Sequence, residues 1–369
     1  MRVLLVTPSI DMPGGVANYY KTLRSHLPEE VEYFTIGARA IDDNRFTSLT
    51  RAFDDYVNFF RKLRRGGYDL VHLNPSLCNK AIVRDGILLL IAKMFRVRVV
   101  VFVRGWEIEC EHLIRKSFLP VFRFVYRKAD AFIVLGAEFR DKLIEMGCTD
   151  RIFLETTVVD DEVFSRSAGP SRQRPSEGGG AKLNILTLTR IERTKGVYEA
   201  IDAYHMLKKR MPSITLTIAG DGSELQAVKR YAKDRQIEDI TFTGFISGEV
   251  KHSAFEHASI FLFPTAYGEG MPNAILEAMA YGLPIITRPV GGIRDYFENG
   301  RMGFITESMD PVVFAGMLET LVVDSALRLQ IGEFNRNYAQ DRFVASKVSE
   351  RLQGIYRRLL GDTVFTQAA

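Results

Sequence analysis

The stretch GEGMPNAILEAMAYGLP, from Gly268 to Pro284, holds two glutamates with seven residues between them. Pro272 suits the first position of a helix, because its fixed φ angle matches the helix and its missing N–H is not needed there. Glu269 therefore stands just before a predicted helix, and Glu277 stands inside it. This arrangement raises the question of what a carboxylate on each side of a helix start would bind.

The start of this predicted helix is a candidate anion site, because a helix N-terminus attracts negative charge. The backbone amides of Gly270, Met271 and Asn273 have no partner within the helix. A diphosphate bound there would place Glu269 within reach of an attached sugar, and Glu277 within reach of the ribose of a nucleotide. The alternative is an ordinary helix start with an acidic residue that complements the dipole.

Short strands and helices alternate along the whole chain. The strand candidates in the first half are RVLLVT, VEYFTI, DLVHLN, VRVVVFV, AFIVL and RIFLET. Those in the second half are KLNILTLTR, SITLTIAG, DITFTGF, ASIFLFPTA and LPIITRP. Segments with helical spacing of apolar residues separate them. This alternation predicts an α/β fold with two parallel sheets, each covered by helices on both faces.

The chain is long enough for two domains. The stretch SRSAGPSRQRPSEGGG interrupts the alternation with residues that bury little surface, which predicts a flexible linker. We expect Rossmann-like domains at 1–163 and 183–341, a linker at 164–182, and an amphipathic C-terminal helix at 342–369. Open α/β sheets bind ligands at the carboxyl ends of their strands, so two facing sheets predict a central cleft that holds the ligand.

The composition excludes several classes of protein. The 369 residues are 46% hydrophobic and 25% charged, as in ordinary globular proteins, and a net charge of +4 gives no argument for nucleic-acid binding. Three scattered cysteines indicate neither a disulfide framework nor a zinc site, which favours a reducing cytoplasm. The opening MRVLLVTPS is too short for a signal peptide, and GILLLIAKMF is interrupted by a lysine, so no membrane span is expected.

The common nucleotide motifs are missing. The sequence has no G-x-G-x-x-G after a strand, no P-loop, and no D-x-D pair at a strand end. Two glycine clusters remain, Gly14 with Gly15 and Gly220 with Gly222. Both could be plain turns, but consecutive glycines at a helix start also let backbone amides approach a phosphate or a sugar.

The stretch LTRIERTKG offers the cations that a metal-free diphosphate site would need. Arg190 follows a predicted strand, and Lys195 precedes the next helix. A guanidinium presents a planar fork to phosphate oxygens, and a lysine adds a mobile charge. The alternative is a solvated loop in which Arg190, Arg193 and Lys195 are simply exposed.

The stretch FLFPTAYGEGMPNAILEAMAYGLPIITRPVGG resembles the signature of the retaining glycosyltransferases of family 4, which have the GT-B fold. RIERTKG, AGDGSEL and GGVANYY resemble the preceding motifs of the same family. The resemblance implies metal-independent transfer of a sugar from a nucleotide diphosphate, with a UDP-sugar favoured over a GDP-sugar. It implies no cofactor. We expect a lipid-linked or polysaccharide acceptor in bacterial surface glycan biosynthesis, on the basis of the basic segments in the first half described below.

The resemblance also implies roles for particular residues. Arg190 and Lys195 match the diphosphate pair, Glu269 the donor-sugar contact and Glu277 the ribose ligand, while the base would stack near Phe245 and the backbone around Ile246. The family's reaction is a front-face transfer in which the departing phosphate oxygen helps take the acceptor's proton. The C-terminal helix is expected to return to the first domain.

The chain departs from the family pattern in VVVFVRGWEIE, where Arg104 stands in place of a histidine that many members carry. An arginine cannot act as a base at neutral pH. Arg104 could bind an anionic group of the acceptor, or it could be structural. His72 and Asn74 in LVHLNPS also end a strand and are weaker candidates for the acceptor side.

Three basic and aromatic segments in the first half concern the acceptor: RKLRRGGY, KMFRVR and RKSFLPVFRFVYRK. The last is typical of a helix on an anionic membrane surface, although a buried helix with a basic rim gives a similar pattern. We therefore expect a cytoplasmic protein that binds the membrane peripherally. Two alternatives remain open: a nucleotide-sugar epimerase or hydrolase on the same fold, and a non-catalytic scaffold that binds glycans.

Overall fold

A computed structural model describes residues 1–12, 14–37, 45–149, 151–166, 182–266 and 270–361. The chain forms two compact units. The first unit contains Met1–Val158, the segment Gly268–Met271 and the C-terminal segment from Ala345; the second contains Val159–Tyr267 and Pro272–Val344. The first boundary thus lies earlier than residue 163.

The first unit is built on a six-stranded parallel sheet. Its strands are β1 (Val3–Thr7), β2 (Val31–Thr35), β3 (Leu70–Leu73), β4 (Arg98–Val103), β5 (Ala131–Val134) and β6 (Ile152–Leu154). Their order is β2-β1-β3-β4-β5-β6. Strands β3, β4 and β5 are buried along nearly their whole length, because helices cover both faces of the sheet.

In the described part of this unit, six α-helices lie between the strands or follow them, and a seventh returns from the C-terminal segment. They are α1 (Gly15–Leu23), α2 (Arg45–Arg64), α3 (Asn79–Met94), α4 (Ile108–Leu113), α5 (Leu119–Tyr126), α6 (Ala137–Glu145) and α14 (Ala345–Leu360). A π-helical turn, Ile114–Phe118, joins α4 to α5. Pro120 lies in the first turn of α5, where its missing N–H is harmless.

The second unit has its own six-stranded parallel sheet. Its strands are β7 (Leu183–Leu188), β8 (Ile214–Ala219), β9 (Ile240–Gly244), β10 (Ile260–Phe263), β11 (Ile285–Thr287) and β12 (Gly303–Ile305). Their order is β12-β11-β10-β7-β8-β9. The helices are α7 (Glu162–Arg166), α8 (Val197–Lys208), α9 (Leu225–Asp234), α10 (Gly248–Glu256), α11 (Asn273–Ala280), α12 (Pro311–Val323) and α13 (Ser325–Arg342).

The predicted α/β class with two parallel sheets is confirmed, and all eleven strand candidates correspond to strands. The sequence analysis missed β12, which has only three residues. Most of the predicted linker lies outside the described residues. Its first residues were assigned wrongly, because Phe164 belongs to α7, where its carbonyl accepts a hydrogen bond from Arg336 (3.0 Å).

The C-terminal helix α14 packs on the first unit. Its amphipathic pattern buries Val348, Leu352 and Leu359. The Ser349 hydroxyl donates to the carbonyl of His26 at 2.7 Å. None of the helices in the described part of the chain is both long and apolar enough to cross a membrane.

Candidate functional site

The carboxyl edge of the second sheet gathers the loops that carry most of the predicted donor-binding residues. The amide of Gly220, after β8, donates to the carbonyl of Gly244 at the end of β9 (2.8 Å). The amide of Ala266, after β10, donates to the carbonyl of Thr194 in the loop after β7 (2.9 Å). Because β9, β8, β7 and β10 are consecutive parallel neighbours, these loops form one continuous rim.

The two predicted phosphate-binding cations lie on this rim in different environments. Arg190 is exposed and pairs with Glu192 of its own loop (2.9 Å). Lys195 is only 3% exposed and ends a 3-10 turn, Arg193–Lys195. The alternative that all three cations of this loop are simply exposed is therefore wrong for Lys195. Burying an ammonium group is costly, so a lysine in such a position requires compensating interactions.

Gly196 explains how Lys195 is held at the start of α8. Its φ angle of +73° lies in the left-handed region, and a β-carbon there would stand 2.2 Å from the carbonyl oxygen of Pro264. Only glycine fits both constraints. The loop after β7 therefore closes directly onto the segment that leads from β10 toward α11.

Gly220 has a similar packing role on the same rim. Its φ angle is +144°, and a β-carbon would lie 1.8 Å from the carbonyl oxygen of Thr189. The glycine lets the loop after β8 pack against the loop that carries Arg190. Gly222 follows two residues later in the same loop, so this cluster has a structural explanation without a bound ligand.

Helix α11 begins one residue later than the proline predicted to start it. Pro272 has the extended angles φ −73° and ψ 118° and occupies the N-cap position, and Asn273 is the first helical residue. The amide of Ile275 donates to the carbonyl of Pro272 (3.1 Å), as in a helix's first turn. The prediction of a helix start is confirmed with this shift, and the amides of the first two helical residues, Asn273 and Ala274, precede the first hydrogen bond within the helix.

Glu277 has a partner that the sequence analysis missed. Its Oε1 atom accepts a hydrogen bond from Nζ of Lys251 in α10 at 2.8 Å. The glutamate side chain is 13% exposed and the lysine side chain 24% exposed. The two residues are 26 positions apart, so no local pattern could have revealed the pair. The pair fixes Glu277 between α10 and α11.

The predicted base-contacting residues follow β9 on this rim. Phe245 is 72% exposed, which is unusual for a large aromatic side chain, and Ile246 is half-buried. An exposed aromatic ring at the carboxyl edge of a sheet is available for stacking on a planar ligand.

The remaining predicted donor residues lie elsewhere or outside the described part of the chain. Glu269 is among the residues that the structure does not describe. Gly14 is the N-cap residue of α1, and Gly15 is the first residue of this helix. Both are exposed, and a β-carbon added to either would have no described atom within 4 Å beyond its chain neighbours. In the first unit, a β-carbon on Gly270 would lie 2.9 Å from Leu135, and the carbonyl of Met271 accepts from Thr157 (3.4 Å). The donor-binding roles of Glu269, Gly14, Gly15, Gly270 and Met271 stay predictions.

His72 and Asn74 form a buried hydrogen-bond network, so their proposed contact with an acceptor is not supported. Both are at most 5% exposed. The hydroxyl of Tyr20 donates to Oδ1 of Asn74 (2.6 Å), and its oxygen therefore accepts from Nε2 of His72 (3.2 Å). Nδ1 of His72 then accepts from the hydroxyl of Tyr356 in α14 (2.6 Å), and Asn74 donates to the carbonyl of Val6 (2.9 Å). The network satisfies a neutral imidazole and ties α14 to β3.

This network predicts an acid-sensitive stability. Burial, together with the positive charge of Arg104, lowers the pKa of His72 to about 3. The imidazole of His72 takes up a proton near pH 6.5 in the unfolded chain but stays neutral in the folded chain. The free energy of unfolding therefore falls as the pH drops from about 6.5 toward 3. At pH 5 the loss is about 2 kcal/mol.

Urea denaturation of the native protein and of His72→Gln, at pH 7.5 and at pH 5, checks this expectation. The native protein should lose about 2 kcal/mol more than the variant on acidification. Equal losses in the two proteins would show that His72 does not remain neutral in the folded state.

Arg104 lies between two aromatic rings. Its ζ carbon is 3.8 Å from the ring centroid of Tyr19 and 4.3 Å from that of Phe102. Its Nε and Nη1 atoms are buried and have no hydrogen-bond partner among the described residues. Cation–π contacts with two rings hold the guanidinium in place. This geometry favours the structural alternative for Arg104, and its contact with an anionic acceptor stays a prediction.

Two family models match the chain. Residues 172–338 match the model described as "Glycosyl transferases group 1", and residues 2–154 match "Glycosyl transferase 4-like domain". Together the matched regions cover both units. The chain belongs to glycosyltransferase family 4. The Gly196 turn, the rim loops and α11 all lie within the first of these matches.

Individual relatives of this family 4 member are distant. WcaL of Escherichia coli, named for colanic acid biosynthesis, is 24% identical over 68% of this chain and 60% of WcaL. The amylovoran biosynthesis glycosyltransferase AmsK of Erwinia amylovora is 27% identical over 65% of this chain and 57% of AmsK. The matched part of the chain thus spans about three-fifths of the length of these curated relatives.

Solved structures confirm the predicted GT-B fold for this family 4 member. HepE of Anabaena, crystallised in complex with UDP and glucose, matches with a TM-score of 0.72 at 18% identity. The match covers 97% of this chain and all of HepE. Sucrose-phosphate synthase of Thermosynechococcus elongatus matches with a TM-score of 0.73 at 16% identity over 98% of this chain and all of the other.

Proposed function

We propose that this protein transfers a sugar from a nucleotide diphosphate donor to an acceptor, with retention of the anomeric configuration. The observation that carries the proposal is the rim of the second sheet, where a buried lysine, an exposed arginine and the start of α11 are brought to one edge. Family membership supports the reaction class. HepE was crystallised with UDP, which supports a UDP-sugar over a GDP-sugar as the donor.

Each rim residue has a distinct proposed role. Lys195 places a fixed positive charge beside the diphosphate, and the first-turn amides of α11 add hydrogen-bond donors. When the donor binds, the guanidinium of Arg190 leaves Glu192 and binds phosphate oxygens, whose geometry fits its planar N–H donors. Glu277, positioned by Lys251, accepts hydrogen bonds from the ribose hydroxyls.

The proposed reaction is a front-face displacement. The acceptor hydroxyl oxygen forms a bond to the anomeric carbon while the bond from that carbon to the diphosphate oxygen breaks. The proton of the acceptor moves to the departing phosphate oxygen, so atoms and charges balance. The protein contributes positioning and stabilisation of the departing charge. Cationic side chains and the start of α11 stabilise this negative charge. We therefore propose that the reaction needs no metal.

We further propose that the acceptor is a lipid-linked or polysaccharide glycan of the bacterial surface, reached by a cytoplasmic protein bound at the membrane. WcaL and AmsK are named for the biosynthesis of colanic acid and amylovoran, and CapM of Staphylococcus aureus for that of a capsular polysaccharide, which supports this class of acceptor. The exposed basic and apolar residues of segment 114–128, which includes α5, support contact with an anionic membrane.

The test is donor consumption by the full-length protein with and without a lipid-linked acceptor, in EDTA and then in magnesium. We expect release of UDP only when the acceptor is present, equal rates in both buffers, and a product whose anomeric proton coupling matches that of the donor. Release without acceptor would indicate a hydrolase or epimerase. An inverted product would contradict the retaining mechanism.

The exposed ring of Phe245 gives a prediction about base binding. Phe245→Ala should weaken UDP binding about 5- to 150-fold, because stacking on a base contributes about 1–3 kcal/mol. Val250→Ala is the matched control, since Val250 is 62% exposed on the adjacent helix α10 and has no proposed role. Isothermal titration with UDP measures both. Unchanged affinity in Phe245→Ala would place the base elsewhere.

A further inference from the structure

An apolar groove opens on the first unit, and none of its lining residues is assigned to the donor. It has a volume of about 390 Å³ and lies between α3, α4, the π-helical turn Ile114–Phe118 and α5. Val83 and Leu113 form part of its walls, and Phe122 lies at its base. The volume falls within the range of small-molecule sites, which is about 300–1,000 Å³.

The groove offers almost nothing to a polar ligand. Tyr126 is one of the few lining residues with a polar side chain, and its hydroxyl already donates to the carbonyl of Ile82 (2.7 Å). Burial raises the pKa of the Cys110 thiol to about 11, so this lining residue stays uncharged. A sugar or a phosphate would find no partner inside the groove, whereas a hydrocarbon chain needs none.

The rim of the groove is apolar and exposed. Val83 is 64% exposed, Val121 61% and Phe118 52%. Phe124, on the same helix as Val121, is 67% exposed. Clustered exposure of this kind marks a surface that contacts another apolar phase or partner.

The charges beside the groove distinguish among such partners. The segment 114–128 contains five cationic residues and no acidic one. Arg115 pairs with Glu111 and Glu145, but Lys116, Arg127 and Lys128 are exposed and form no ion pair with any described residue. Lys128 lies over the ring of Phe124 at 4.7 Å. Free cations beside exposed aromatic and aliphatic side chains complement the headgroups and chains of an anionic bilayer.

We propose that this groove binds one acyl chain of an anionic membrane phospholipid, while the cations of segment 114–128 contact the lipid phosphates. The inference rests on the proposed membrane-bound function and deepens it, because it assigns the contact to one cavity rather than to a basic surface in general. A lipid chain held in the groove would fix the first unit on the membrane in one orientation.

Vesicle binding by the full-length protein tests the proposal with a matched pair of variants. Val83→Asp places a carboxylate at the groove, and Val312→Asp places one on α12 of the second unit, at a valine of similar exposure (59%). With vesicles of equal phosphatidylglycerol and phosphatidylcholine, Val83→Asp should raise the dissociation constant at least tenfold. Val312→Asp should change it less than twofold. Equal binding by Val83→Asp and the native protein would overturn the proposal.

A second measurement separates chain insertion from surface attraction. The chain has one tryptophan, Trp106, which is 4% exposed and serves as the background. In Val83→Trp, the new fluorophore should be quenched by lipids brominated along their acyl chains, and the native protein should not. Binding without quenching would show attraction to headgroups only and would overturn the groove assignment.

Nucleotide binding distinguishes failure of this inference from failure of the proposed function. Thermal stabilisation by UDP should be the same in the native protein, Val83→Asp and Val312→Asp. If UDP stabilises the native protein but vesicles do not bind, the groove proposal fails and glycosyl transfer stands. If neither UDP nor another nucleoside diphosphate stabilises the native protein, the proposed function fails, whether or not vesicles bind.

Discussion

Replacing Lys195 with alanine is expected to lower turnover at least about tenfold, and the loss can reach about 10²–10³ if Lys195 acts like a single transition-state donor. Lys195 is 3% exposed as a residue, so we expect its charge to act on the departing diphosphate in a poorly solvated environment. Negative charge grows on that group as the bond to the sugar breaks. The effect should therefore appear mainly in kcat and less in KM.

Arg193→Ala is the control for this experiment. Arg193 lies on the same turn and carries the same charge, but it is exposed and its ζ carbon lies 4.4 Å from the ring centroid of Tyr198. Its removal should leave kcat within about twofold. Steady-state kinetics of both variants, after thermal unfolding confirms that each is folded, gives the comparison. Near-normal kcat in Lys195→Ala would remove the lysine from the proposed mechanism.

Replacing Glu277 with alanine should weaken UDP binding about 10- to 150-fold, because hydrogen bonds to a charged group contribute about 1.5–3 kcal/mol. The carboxylate is mostly buried and is held by Lys251, so the ligand does not have to order it. The loss should fall on affinity for UDP itself, since the ribose is present in donor and product alike. Isothermal titration with UDP measures it directly.

Lys251→Met separates this role from the ion pair. If Glu277 contacts ribose, the methionine variant keeps the acceptor oxygens and should bind UDP more tightly than Glu277→Ala does. Equal losses in the two variants would instead indicate that Glu277 only stabilises the packing of α10 against α11.

The fold was largely predictable because buried parallel strands leave long apolar runs in the sequence. VLLVT and RVVVFV became β1 and β4 for that reason. β12 was missed because three residues, Gly303–Ile305, carry too little pattern. The start of α11 was predicted to within one residue, since proline restricts the backbone wherever it stands.

The site was predictable only where its chemistry is local in sequence. Arg190 and Lys195 share one short loop, and their residue types already indicate phosphate binding. The pairing of Glu277 with Lys251 and the burial of His72 against Tyr356 depend on tertiary packing between distant segments. Arg104 illustrates the same limit, because its stacking on Tyr19 and Phe102 is invisible in the motif that contains it.

The most direct test of the central claim is a thermal-shift panel of the native protein with UDP, GDP, ADP, CMP and NAD, first in EDTA and then in magnesium. A ligand that binds only the folded state raises the melting temperature. We predict a rise with one nucleoside diphosphate, unchanged by magnesium and lost in Glu277→Ala. No rise with any diphosphate, or a rise with NAD alone, would contradict the assignment of a nucleotide-sugar site to the rim of the second sheet.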